Sequence, residues 1–188
     1  KKYMKNPKEI VIGNKNEGNK NIRDIYYMVQ ARDKYLALKR IADFYPNIYG
    51  IVFCRTKIGV DEVATRLVAQ GYSAEGLHGD VSQAQREKIL RKFRDKAVNI
   101  LVATDVAARG IDVSNLSHVI NYSLPQDSES YVHRIGRTGR AKKHGVAYTL
   151  LSDFPSRMRL DDIARNTRSQ IIPASVDENG HVTPTEKK

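Results

Sequence analysis

An arginine-rich block at residues 133–140 has the residue types and the spacing to handle a polyanionic ligand. It reads His-Arg-Ile-Gly-Arg-Thr-Gly-Arg, which places Arg134, Arg137 and Arg140 three residues apart, with a glycine before each of the last two. A guanidinium stays charged and presents a rigid fork of donors that fits phosphate oxygens, and glycine lets backbone and ligand approach closely. The block indicates a nucleotide-phosphate site, although a solvated basic helix end would show the same spacing.

Three further segments precede the block in a fixed order. They are Ile-Val-Phe-Cys-Arg-Thr-Lys at 51–57, Gly-Leu-His-Gly-Asp at 76–80 running into Gln-Ala-Gln-Arg at 83–86, and Ala-Thr-Asp-Val-Ala-Ala-Arg-Gly-Ile-Asp at 103–112. From about residue 1 to about residue 152, this order and wording closely resemble the C-terminal half of DEAD-box RNA helicases, in the second helicase superfamily. The segments around Thr104 and Arg137 are highly specific, whereas 51–57 alone would be weak.

The resemblance implies a RecA-like domain, one of two that clamp ATP and RNA between them. It assigns the RNA backbone to Arg55, Thr56, Gly79, Asp80, Gln83, Arg86 and Thr104. It assigns the ATP ribose to Asp112, the γ-phosphate to the arginine fingers Arg137 and Arg140, and coupling between the domains to His133, Arg134 and Arg109. The family often has Asn where Arg55 stands, so the RNA contact of that residue departs from the pattern.

The chemistry of individual positions agrees with these roles but leaves simpler alternatives open. Gly79 and Asp80 lie between a strand and a helix start, where backbone amides can receive a phosphate, yet a turn glycine and a helix-start acid would look the same. Asp112 can equally be a turn acid, since Val-Ser-Asn follows it. Contacts to sugar and phosphate carry no base readout, so they predict sequence-independent binding.

The elements that would hold ATP and Mg²⁺ are missing from this chain. A P-loop needs Gly-x-x-x-x-Gly-Lys-Ser/Thr; the nearest approach, from Gly13 to Gly18, continues as Asn-Lys-Asn and precedes no helix pattern. There is no Asp-Glu-Ala-Asp box, and we expect no metal site here. ATP and Mg²⁺ would be held mainly by an N-terminal RecA-like domain of the same protein, so the chain alone should show negligible ATPase activity and no unwinding.

Composition is compatible with one nucleic-acid-binding domain. The 188 residues carry a net charge of +11, which indicates RNA or DNA as the partner more than a membrane surface. No apolar run approaches the roughly 20 residues of a membrane span. The single cysteine, Cys54, excludes internal disulfides and multi-cysteine metal sites, and it falls in a predicted buried strand. We expect a cytoplasmic protein whose C-terminal half is monomeric on its own.

Hydrophobic periodicity predicts alternating strands and helices. Strands are expected at 25–29, 49–54, 74–77, 99–104, 118–122 and 145–151. Helices are expected at 34–44, with Leu36, Leu38, Ile41 and Ala42 toward the core, at 60–70, from a Ser82 cap to 94, and from an Asp127 cap to 135. This rhythm predicts an α/β fold: a RecA-like parallel β-sheet sandwiched by helices, with ligands beyond the carboxyl ends of its strands.

The ends of the chain differ in amino-acid composition from its centre. Residues 1–21, rich in Lys, Asn and Gly, read as an interdomain linker or N-terminal arm, and 22–154 as the helicase C-terminal RecA-like domain. Residues 155–188 are expected to form a C-terminal helix, basic and amphipathic over about 157–168, and a polar tail over 177–188.

Three functions are compatible with the sequence. The first is the C-terminal half of an ATP-dependent RNA helicase. The second is a non-catalytic module that docks RNA or a partner protein. The third is a DNA-directed translocase of the same superfamily, which contacts to the 2′-OH would distinguish from the first.

Overall fold

Strands and helices alternate along the chain from residue 22 onward. The computed structural model describes residues 21–139, 144–176 and 182–184. The strands are β1 (Ile22–Met28), β2 (Gly50–Phe53), β3 (Ala74–Leu77), β4 (Ile100–Ala103), β5 (His118–Asn121), β6 (Gly145–Leu151), β7 (Ile171–Val176) and β8 (Val182–Pro184). The helices are α1 (Lys34–Phe44), α2 (Lys57–Ala69), α3 (Gln83–Arg94), α4 (Asp105–Ala108), α5 (Ser128–Ile135) and α6 (Phe154–Thr167).

The strands form one sheet in the order β3-β4-β2-β5-β6-β1-β7-β8. The first seven pair in parallel, and β8 pairs antiparallel with β7. The central strands β2, β4 and β5 are buried along their whole length, as expected for parallel strands covered on both faces. The predicted α/β fold, a RecA-like parallel sheet between helices, is confirmed.

Each face of the sheet has its own hydrophobic core. On one face, α1 and α2 bury Leu38, Ile41, Val60 and Leu67. On the other, α3, α5 and α6 contribute Phe93, Tyr131, Ile135, Leu160 and Ile163. The helices therefore sandwich the sheet and leave its carboxyl edge open at the strand ends.

One predicted core residue of α1 faces solvent. Leu36 is 43% exposed, while Leu38, Ile41 and Ala42 are buried as predicted. Because an α-helix turns about 100° per residue, Leu36 lies roughly 200° from Leu38 and cannot share its inward face. The prediction for Leu36 is wrong for that geometric reason.

Side-chain caps decide where several helices begin. Ser82 accepts a hydrogen bond from the Gln85 amide at 3.2 Å, and Asp127 accepts one from Ser130 at 2.8 Å, as predicted. Thr56 caps α2 by accepting from the Gly59 amide at 3.0 Å. This cap starts α2 at Lys57, earlier than the residue 60 that hydrophobic spacing predicted.

The C-terminal segment continues the sheet beyond residue 154. The predicted basic helix is α6, which begins at Phe154 and leads to β7, a strand that pairs in parallel with β1. Within the segment predicted as a polar tail over 177–188, Val182–Pro184 forms the short strand β8, which hydrophobic periodicity did not predict and which pairs antiparallel with β7. Within the described residues, no helix is long and apolar enough to cross a membrane.

Candidate functional site

Three neighbouring strands bring most of the predicted RNA-binding residues to one edge of the sheet. Arg55 and Thr56 follow β2, Gly79 and Asp80 follow β3, and Thr104 follows β4, and these strands are adjacent in the order β3-β4-β2. The first two segments are joined directly, because Lys57 Nζ donates to Asp80 Oδ1 at 3.1 Å. We call these residues, with Gln83 and Arg86 of α3, the edge face.

Most of the edge face is open to solvent. Arg55, Thr56, Gly79, Asp80 and Gln83 are exposed. No atom lies within 4 Å of the position that a Cβ would take at Gly79. An anion can therefore reach the backbone there, next to the helix start that Ser82 caps.

Two of the predicted RNA-binding residues hold the neighbouring helix α4. Thr104 is only 8% exposed, and its hydroxyl oxygen accepts from the Ala107 amide at 3.2 Å, which makes it the cap of α4. Arg86 Nη1 donates to the carbonyl oxygen of Ala107 at 3.0 Å. The edge face is thus built against α4.

A cavity of about 470 Å³ opens on the other side of α4, between the segment that follows it and α5. Its lining includes all the predicted nucleotide and coupling residues that the structure describes: Arg109, Asp112, His133, Arg134 and Arg137. Arg140 lies outside the described residues. The cavity therefore brings together residues from two separate segments of the chain, one that follows α4 and one formed by α5 and the residues after it.

Arg137 lines this cavity with its guanidinium bonded to the backbone. Nη2 donates to the carbonyl of Ala108 at 2.9 Å, and Nη1 to that of Ile111 at 3.0 Å. Burial lowers the pKa of Arg137 from its ordinary value, and the carboxylate of Asp112 acts in the opposite direction. The side chain remains a charged donor beside Asp112, and it would have to leave these carbonyls to reach a phosphate deeper in the cavity.

Arg134 is buried and fully engaged within its own domain. It is 3% exposed, and it grips the carboxylate of Asp105 with Nε and Nη2 at 2.7 and 2.6 Å. Its Nη1 donates to the Ser123 carbonyl at 2.7 Å and to Asn121 Oδ1 at 3.1 Å. Within its own domain the acidic partner of Arg134 is Asp105, and its coupling to another domain stays a prediction. His133 and Arg109 are exposed, and their coupling role stays a prediction.

The glycine at 139 serves packing rather than ligand access. Its φ is +67°, a left-handed conformation, and a Cβ there would lie 2.5 Å from Ile22 Cγ1. Thr138 beside it donates its hydroxyl proton to the carbonyl of Leu116. The second half of the arginine block is therefore fastened to β1 and to the segment before β5.

Sequence reasoning missed several polar residues that support the site. Asp105 directly follows Thr104 in the 103–112 segment, so this segment could have identified it as a site residue. Asn121 and Thr149 are buried and bonded to each other at 3.1 Å, and Asp24 accepts from the Tyr131 hydroxyl at 2.8 Å. Nothing in their local sequence marks these three residues, since their partners come from other strands and helices.

The described part of the chain contains no group of three or more His, Cys, Asp or Glu side chains arranged to bind a metal ion. The acidic and basic residues around the cavity suit the ribose and phosphate groups of a nucleotide: Asp112 can accept from hydroxyls, and Arg137 can donate to phosphate oxygens.

Comparison with known proteins agrees with this arrangement. Residues 33–142 match the family described as the helicase conserved C-terminal domain, which covers more than half of the chain. Fold and site together define a RecA-like C-terminal domain of a helicase. The chain belongs to the DEAD-box RNA helicases and covers the C-terminal domain of that family.

Individual relatives give the extent of the likeness. The DEAD-box ATP-dependent RNA helicase CshA of Geobacillus kaustophilus is 46% identical over 94% of this chain, which spans 38% of that protein. A DEAD box protein from Methanococcus jannaschii is 44% identical with a TM-score of 0.74, covering 82% of this chain and 42% of that one. S. cerevisiae Dbp5, solved bound to RNA and ADP BeF3, is 31% identical with a TM-score of 0.77, over 85% and 44%.

Proposed function

We propose that this chain is the C-terminal half of an ATP-dependent RNA helicase. It binds the RNA backbone through the edge face and contributes Asp112, Arg137 and Arg140 to an ATP site shared with an N-terminal RecA-like domain of the same protein. Mg²⁺ and most of the nucleotide would be held by that other domain. This proposal extends to a whole protein of which the chain spans only a part, as it spans 38% of CshA.

The observation that carries the proposal is that one arginine from each site donates a hydrogen bond to a backbone carbonyl of α4. Arg86, from the edge face, donates to the carbonyl of Ala107. Arg137, from the cavity, donates to the carbonyl of the next residue, Ala108. Thr104 caps the same helix, and Asp105 at its first position is held by Arg134. A ligand that moves either arginine therefore perturbs a short helix that the other arginine also holds.

This geometry supports a specific exchange between the two sites. A phosphate of RNA that draws Arg86 away would release the carbonyl of Ala107, and movement of Arg137 toward a γ-phosphate would release those of Ala108 and Ile111. Once there, Arg137 would neutralise charge that develops on the phosphoryl oxygens during hydrolysis. RNA binding and hydrolysis would then depend on each other through α4.

Contacts to sugar and phosphate alone predict binding to any RNA sequence. S. cerevisiae Dbp5, a relative of the same fold, was solved bound to RNA and ADP BeF3, which supports a site for both molecules. We expect a monomeric, cytoplasmic domain that is inactive until the other RecA-like domain is supplied.

The test is RNA-stimulated ATP hydrolysis after an N-terminal domain with the P-loop and the acidic box is joined to this chain. Removing an arginine finger lowers hydrolysis on the order of 10³- to 10⁵-fold where it has been measured, so we expect Arg137→Ala to reduce turnover by at least about 10³-fold. Arg91→Gln, an exposed residue of α3 away from both sites, is the matched control.

Each outcome of this experiment has one meaning. Turnover that appears with RNA, fails with DNA of equal length and collapses in Arg137→Ala supports the proposal. Turnover unchanged by Arg137→Ala would remove the finger role. Equal stimulation by DNA would favour a DNA-directed translocase, and RNA binding without any turnover would favour a docking module.

A further inference from the structure

The start of α6 presents an aromatic side chain to solvent at the carboxyl edge of the sheet. Phe154 is 71% exposed, although it comes shortly after the buried Leu151 that ends β6. Its backbone is fixed, because Asp153 accepts a hydrogen bond from the Ser156 amide at 2.7 Å and a proline follows within the first helical turn. The ring therefore projects from the first residue of a capped helix.

Positive charge connects this ring to the edge face. Lys34 Nζ donates to the Tyr122 carbonyl at the end of β5, at 3.0 Å. Burial lowers the pKa of Lys34, Asp153 raises it and Arg55 lowers it, so Lys34 lies within electrostatic range of both Arg55 of the edge face and Asp153 beside Phe154. Arg159, five residues after Phe154 in α6, also interacts with Asp153. Two cations thus compensate the one carboxylate beside Phe154.

The remaining arginines of α6 are less suited to a ligand. Arg157 pairs with Asp161 and lies over the Tyr26 ring at 4.5 Å, and Arg165 pairs with Asp162. Lys34 and Arg159 are therefore the two cations that interact electrostatically with Asp153, the residue before Phe154.

The sheet order sets the distance from the edge face to the ring. Arg55 follows β2, Phe154 follows β6, and only β5 lies between these strands. Two strand spacings amount to about 10 Å, a span that a few nucleotides of a single strand can cover. Phe154 thus lies on the same carboxyl edge of the sheet as the edge face.

We propose that Phe154 is a stacking platform for a base of single-stranded RNA, and that Lys34 and Arg159 contact the phosphates on either side of it. The inference rests on the proposed function, since it extends the RNA path that begins at the edge face. A base stacked on an aromatic ring beside cations binds with little sequence preference, because every base has a π-face. The site would therefore lengthen the bound strand without adding sequence specificity.

The test compares the affinity of this chain for oligouridylates about 6 and about 12 nucleotides long, lengths within the site sizes known for single-stranded nucleic-acid domains. Phe154→Leu keeps an apolar side chain and removes the ring, whereas Phe154→Trp keeps a ring. Loss of one stacked base corresponds to about 5-fold or more in affinity. We expect Phe154→Leu to weaken the longer RNA by that factor and leave the shorter one unchanged, with Phe154→Trp binding like the parent.

Two controls separate this inference from the function on which it rests. Met158→Ala removes an exposed apolar side chain one turn along α6 and should change neither affinity. Arg86→Gln should weaken both RNAs. If Arg86→Gln weakens binding and Phe154→Leu does not, the platform is refuted and the edge face stands. If neither RNA binds the parent chain, the proposed function fails and the platform with it. Equal losses for Met158→Ala and Phe154→Leu would refute stacking on the ring, because removal of a neighbouring apolar side chain would then have the same effect.

Discussion

At the scale of single residues, Arg134 illustrates how a motif arginine can serve the fold. Its guanidinium donates hydrogen bonds to Asp105, Asn121 and the Ser123 carbonyl. The guanidinium carbon Cζ lies 4.9 Å from the centre of the Phe53 ring. Bidentate pairing of this kind fixes both orientation and distance. Arg134 therefore positions the first residue of α4 against α5, the helix that leads to Arg137.

Loss of this buried pair should destabilise the domain. We expect Arg134→Gln to lower the free energy of unfolding by about 3 kcal/mol, because it leaves the acceptors around it unpaired. Asp105→Asn should cost less, since the Asp105 side chain is 38% exposed and water can replace part of the contact. Urea denaturation of the two single variants and the double variant would measure the coupling; strictly additive losses would contradict a direct interaction.

At the scale of elements, Gly139, which follows α5, occupies a position that a larger residue would not fit. Gly139 combines a positive φ with a close approach to Ile22 of β1. A residue with a Cβ at this position would have to adopt an unfavourable left-handed φ, and the buried side chain of Ile22 would have to shift. The end of the arginine block can therefore pack against β1 only because Gly139 has no side chain.

We expect Gly139→Ala to reduce the free energy of unfolding by at least about 2 kcal/mol, the sum of left-handed strain and overpacking. Gly79→Ala is the matched control, because its added methyl group meets no atom within 4 Å; it should stay within about 0.5 kcal/mol of the parent. Thermal denaturation followed by circular dichroism measures both. Equal stability losses in the two variants would contradict the packing role of Gly139.

At the scale of the whole molecule, buried polar groups link distant parts of the fold. Tyr131 of α5 is fully buried and donates to Asp24 of β1, which is 4% exposed. Burial raises the pKa of Asp24 from 3.8 to about 7, and the Tyr131 hydrogen bond opposes the shift. The native protein therefore holds a proton on Asp24 in a pH range in which the unfolded chain has released it.

This difference predicts that stability falls as pH rises. Between pH 4 and pH 7 the native state binds more protons at Asp24 than the unfolded state, so this group lowers the free energy of unfolding across that window, by at most about 4 kcal/mol. His118 acts in the opposite sense below pH 6.5, because burial lowers its pKa to about 4. The two effects therefore partly cancel between pH 4 and pH 6.5, and the contribution of Asp24 is unopposed by His118 only from pH 6.5 until it is lost as the pH passes 7.

Asp24→Asn isolates the effect, since the amide oxygen can still accept from Tyr131 and cannot ionise. We expect the variant to gain stability relative to the parent as pH rises from 5 to 8, measured as the difference between their urea midpoints at each pH. Taking the difference cancels His118 and other shared groups. A difference that does not change with pH would contradict a protonated Asp24 in the native state.

Local sequence was enough to predict what each segment does on its own. Apolar spacing predicted most strands and helices, and polar starts such as Ser82 and Asp127 predicted their caps, because these interactions join residues a few positions apart. The parallel fold then predicted ligands beyond the carboxyl ends of the strands, where Gly79 and Thr104 lie. The resemblance to DEAD-box helicases rested on the same short motifs.

Only the tertiary structure decided which partners those residues have. Asp24 and Tyr131 are 107 residues apart, and Arg134 and Asp105 are 29 apart, so no local pattern could pair them. The burial that raises the pKa of Asp24, the exposure of Phe154 and the contact of Gly139 with Ile22 likewise arise only when β1, α5, β6 and α6 pack together. The chain's own residues specify its elements and its chemistry, while packing in three dimensions sets which charges are sheltered, which are paired and which face a ligand.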